Sequence, residues 1–78
     1  MNKVLVSTAR QYLLNTVPSL PEGCQKVFRL MYGRDGGKRS VDDAKAMSIE
    51  DVVVEIPEES LSWAMTQVEN SLKKLEAK

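Results

Sequence analysis

The sequence predicts an all-α fold, a small helical bundle of three main helices plus one or two short helices. Three observations point there. Apolar residues recur at three- and four-residue intervals along most of the chain, the spacing of one buried helical face. β-branched residues nowhere alternate with polar ones over a long stretch, and a Ser or Pro followed by acidic residues marks several helix starts.

Leu5, Ala9, Tyr12, Leu13 and Thr16 share one face at about 100° per residue, which predicts a first helix over Lys3–Thr16. Pro18 and Pro21 break it. A residue before proline is pushed out of the α region, so Val17 and Leu20 are expected to be extended within a short connector. Pro21 suits the first position of a second helix, where its missing N–H would be an orphan anyway, with Ser19 or Leu20 as the preceding cap. Cys24, Val27, Phe28 and Met31 form that helix's apolar side, Lys26 and Arg29 its polar side, and Gly33 is its expected stop. The run from Gly33 to Arg39 holds three glycines and three cations and no apolar side chain, so a flexible, Gly-rich basic loop is expected at 33–40.

Ser40, followed by Asp42 and Asp43, has the chemistry of an N-cap: a hydroxyl to accept from the first free N–H groups and carboxylates to complement the positive helix end. The helix it opens is expected to end near Met47. Ser48 repeats the device with Glu50 and Asp51, and Ile49, Val52, Val53 and Ile56 then follow the spacing of a buried helical face. The run Val52–Ile56 is β-branched enough for a strand. Helix is favoured, because the cap precedes it and the chain offers no second strand to pair with. Pro57 closes that segment and opens the last helix, where Glu58 and Glu59 form an acidic first turn. Leu61, Ala64, Met65, Val68, Leu72 and Leu75 hold one face, and Lys73, Lys74 and Lys78 lie near the negative end.

With 78 residues the chain has room for one domain, 1–78, which at this size buries only about 60% of the surface its unfolded form exposes. A homodimer or a partner that covers more apolar surface is a natural supplement to so thin a core. There is no His, so Ser-His-Asp triads, Cys-His pairs and His-ligated zinc are excluded, and a non-enzymatic protein without cofactor or metal is expected. Cys24 is the single cysteine, which rules out an intramolecular disulfide and fits a small apolar residue. The apolar run Val4–Val6 is too short for a signal peptide or a membrane span, so the reading is a soluble cytoplasmic protein with no membrane contact.

Four features bear on function. Arg34, Lys38 and Arg39, in a glycine-rich loop that leads into a helix start, offer an anion or nucleic-acid contact, although a solvated loop has the same composition. The P-loop pattern is absent, since Gly37-Lys38 is followed by Arg39 and no glycine stands five positions earlier. Charge is unevenly distributed: residues 1–40 carry seven cations and two acids, residues 41–78 four cations and nine acids, so a net charge of zero conceals halves of +5 and −5. The halves either pair within the bundle or leave a pole that steers a partner. Trp63 falls on the polar side of the last helix with Gln67 and Asn70, the position of a protein-contact anchor unless the first helix or the glycine-rich loop folds over it. The acids Asp42, Asp43, Glu50, Asp51, Glu55, Glu58 and Glu59 lack calcium-loop spacing and mostly match helix starts.

The stretch Cys24–Lys74, with Phe28-Arg29-Leu30-Met31-Tyr32, then Ile49-Glu50-Asp51-Val52-Val53, Ile56-Pro57-Glu58 and Leu61–Asn70, resembles small uncharacterised proteins encoded by tailed bacteriophages and prophages. The resemblance covers about two-thirds of the chain and carries no catalytic signature. It implies a phage or prophage origin and a bacterial cytoplasm as the setting. The expected function is that of a small accessory protein that binds, and modulates, a host or phage protein through the Trp63 face or a charged pole. The alternative is a small nucleic-acid-binding regulator that uses Arg34, Lys38 and Arg39.

Overall fold

A computed structural model describes residues 3–33 and 40–77. Its described residues form five α-helices and one 3-10 turn: α1 (Lys3–Thr16), the turn Val17–Ser19, α2 (Glu22–Met31), α3 (Val41–Ala46), α4 (Ile49–Glu55) and α5 (Glu58–Glu76). The all-α bundle of three main and two short helices is therefore present, and the β-branched run resolves as helix. Most of the expected loop, residues 34–39, lies outside the described residues.

Both serine caps form as their chemistry dictates. Ser40 Oγ accepts from the Asp43 N–H at 3.1 Å, and Ser48 Oγ accepts from the Asp51 N–H at 3.1 Å. The prolines act one position earlier than expected. Pro21 and Pro57 are themselves the cap residues of α2 and α5, with extended ψ values of 153° and 147°, and the helices begin at the glutamates that follow. Val17 is also corrected: it enters a 3-10 turn, closed by the Leu20 N–H donating to its carbonyl at 3.0 Å, and only Leu20 is extended. Burial decides this, since Val17 is fully enclosed and the turn carries its side chain into the core.

The core gathers Ala9, Leu13 and Val17 from the N-terminal part, Phe28 from α2, Val52, Val53 and Ile56 around α4, and Leu61, Ala64 and Val68 from α5. α1 packs against α4 and α5, while α2 packs against α3 and α4. The body measures 36 × 30 × 16 Å. Its thin dimension matches two helix layers, whose axes lie about 8–10 Å apart with Cα radii of about 2.3 Å. A body two layers deep leaves every helix an outer side. α2 shows the consequence: Phe28 is buried, yet Val27 is 52% and Met31 44% exposed, although their spacing reads as part of one apolar side.

Two arginines from the basic half tie the layers together. Arg10 on α1 donates from Nη1 to the carbonyls of Val53 and Val54 in the last turn of α4. Arg29 on α2 donates from Nε to the carbonyl of Met47, the residue that ends α3, at 3.1 Å. Both cations meet the negative ends of helices, so part of the charge asymmetry is met through backbone carbonyls.

Candidate functional site

An apolar groove runs between α2 and α5. α2 ends at Met31 with Tyr32 extended as its cap, and Gly33 follows at φ 112°, a backbone conformation that favours glycine. This exit brings Tyr32 beneath α5. Its ring lies 5.0 Å from that of Phe28, tilted by 43°, and 6.2 Å from that of Trp63, edge-on at 79°. Both separations fall in the favourable range for aromatic pairs.

The groove has two connected hollows that share Met31 and Tyr32. One, of ≈ 90 Å³, lies between Cys24, Val27 and Phe28 on α2 and Gln67, Val68 and Ser71 on α5. The other, of ≈ 210 Å³, lies between Gly33 and Met31 on one side and Pro57, Ser60 and Trp63 on the other. The N-terminal part of α2 thus faces the C-terminal part of α5, and the two helices run in opposite directions along the groove. Among the described residues, no charged side chain lines either hollow.

Trp63 stands at the rim, 57% exposed, with its ring set edge-on to that of Tyr32. No described segment encloses it; residues 34–39, most of the loop named as its alternative cover, lie outside the described residues. Gln67 is half-buried in the groove wall. Asn70 is exposed on the same side of α5 and lines neither hollow. Two of the three residues anticipated as a partner site therefore meet at the groove, with the third beside it. Arg34, Lys38 and Arg39, anticipated as anion contacts, lie outside the described residues.

Sequence reasoning missed the opposite wall. Val27 and Met31 read as part of one apolar helix side because periodicity marks which residues are apolar and says nothing about how many layers cover them; Tyr32, which is buried, was not singled out by that spacing. The available signal was the breadth of the apolar side of α2, where Leu30 widens the stripe set by Cys24, Val27, Phe28 and Met31. Cys24, expected as a small buried residue, is half-buried in this wall.

Tyr32 is chemically unusual. It is 94% buried by its 6% exposure, and its hydroxyl has no hydrogen-bond partner among the described residues. Desolvation holds its phenol above the ordinary 10.0. Among the described residues no group of three or more His, Cys, Asp or Glu side chains converges as a metal site would require, and no helix is long and apolar enough to cross a membrane. The described lining combines apolar walls, an aromatic rim and the uncharged polar side chains of Ser60, Gln67 and Ser71. Comparison with protein-family models, with curated proteins and with solved structures returned no match to the chain.

Proposed function

We propose that this is a small, non-enzymatic interaction protein of cytoplasmic phage or prophage type, and that the α2–α5 groove is the face through which it binds protein. The observation that carries the reading is the position of Trp63, exposed at the rim of an apolar groove whose described lining is uncharged, and set against Tyr32. Binding energy at protein interfaces concentrates in a few aromatic anchors beside well-packed pockets, and Trp63 with Met31 and Val27 has that composition. As an accessory protein it acts by occupying a surface of another chain, for which a body of 8.7 kDa suffices.

The test is affinity capture of the tagged protein from bacteria that also express an untagged copy. Wild-type protein is compared with Trp63→Ala, in the groove, and Val54→Ala, an exposed apolar position outside it. The reading expects a stoichiometric protein, an untagged copy included, that is retained by Val54→Ala and lost with Trp63→Ala. Equal recovery by all three, or no specific recovery by any, contradicts it.

A further inference from the structure

We propose that the occupant of this face is a second copy of the chain, placed by a two-fold axis near Gln67 so that the two α5 helices run antiparallel. The inference rests on the groove being a protein-binding face and goes further by naming what binds there.

Charge along α5 carries it. At 3.6 residues per turn, Glu59, Trp63, Gln67, Asn70 and Lys74 fall along one side of the helix. The side is acidic at its N-terminal end, uncharged in the middle and basic at its C-terminal end, with Glu58 and Lys73 reinforcing the poles. All four charged residues are exposed. In a two-fold pair each residue near the axis approaches its own copy, so a charge there would meet its like. Trp63, Gln67 and Asn70 are uncharged, and the axis falls among them. Glu59 and Lys74 lie at nearly equal distances on either side of Gln67, so an antiparallel pair sets Glu59 of each copy against Lys74 of the other, twice over. A parallel pair would set like against like.

Shape and size agree. A body two helix layers deep exposes Val27, Met31 and Trp63 on one side, and a second copy laid against them supplies the missing layer. Doubling the chain also raises the buried fraction of its surface from about 60% to nearly 70%. A neutral chain pays no net repulsion on pairing.

The experiment is sedimentation equilibrium of the purified full chain across about 1–300 μM, where weak to moderate dimers populate both states. The expected mass rises with concentration from 8.7 kDa toward twice that value. Glu59→Lys and Lys74→Glu each weaken pairing about tenfold, since each introduces two like-charge contacts by symmetry, and the double variant restores it. Trp63→Ala weakens it at least as much. A mass of 8.7 kDa at every concentration overturns the second copy; a different chain captured through Trp63 would then leave the interaction reading standing, and no Trp63-dependent capture would remove both. A dimer indifferent to Trp63 and to both single reversals, or one that the double reversal fails to restore, also overturns the proposed pairing.

Discussion

The indole of Trp63 meets the ring of Tyr32 edge-on at 6.2 Å, so the most exposed aromatic of the chain rests on one of its most buried. The contact joins α5 to the exit of α2 and fixes the rim of the groove. Because Trp63 remains 57% exposed, it contributes little to folding for its size. Trp63→Ala is expected to cost about 0.5–1.5 kcal/mol in urea unfolding, the worth of an aromatic pair. Leu61→Ala, at a fully buried position on the same helix, is expected to cost about 2–5 kcal/mol. Comparable losses for the two would place Trp63 in the core.

Tyr32 contributes in the opposite sense. A buried hydroxyl with no partner among the described residues forgoes the hydrogen bond it had in water, at a cost of about 1–3 kcal/mol. Tyr32→Phe keeps both ring contacts and removes the hydroxyl, so the variant is expected to unfold at a higher temperature, by about 1 kcal/mol in stability. A lower unfolding temperature would mean that the hydroxyl is satisfied.

The same phenol gives a pH dependence. Tyr32 is raised above 10.0 by desolvation, and Tyr12 by desolvation and then the nearby Glu69 carboxylate, against a lowering hydrogen bond from Thr16. Above pH 10 the unfolded chain loses these phenol protons while the folded chain keeps them, so the folded state binds more protons and stability falls as pH rises. The contribution is whole below the unfolded value of 10.0 and disappears as pH rises through the folded values. Ultraviolet titration of the folded protein should show both tyrosines ionising above 10.0, with the Tyr32 share absent from Tyr32→Phe; ordinary titration of both would contradict the burial described.

Arg10 holds the end of α4 from another helix. Arg10→Met removes the donor to the Val53 and Val54 carbonyls while keeping much of the side chain's apolar length. A loss of about 1–3 kcal/mol is expected, with faster amide exchange concentrated in the last turn of α4. Ser48→Ala removes the cap at its other end and is expected to cost about 1 kcal/mol. If neither substitution changed exchange over α4, its ends would be held by something else.

These cases show what was legible in the chain. The caps at Ser40 and Ser48, and the helical state of Ile49–Glu55, followed from local chemistry that tertiary packing did not override. Val17 did not, because its burial in the core outweighs the preference that Pro18 imposes. Trp63 and Gln67 were legible as the polar side of α5, whereas the exposure of Trp63 was not, since the same sequence fits a segment folded over it. Their counterparts Val27 and Met31 were not, because the same spacing serves a covered and an uncovered helix side alike. The roles of Arg10 and Arg29 depend on carbonyls far along the chain, which no local pattern announces.

The chain holds one tryptophan, so its fluorescence reports directly on the groove. The most direct test of the groove as a binding face is iodide quenching of Trp63, followed as the purified protein is concentrated and again in complex with any captured chain. Ready quenching in the dilute protein, with marked protection and a blue-shifted emission on association, is the expected result. Quenching that is equally efficient in every state, or blocked already in the dilute protein, would contradict it.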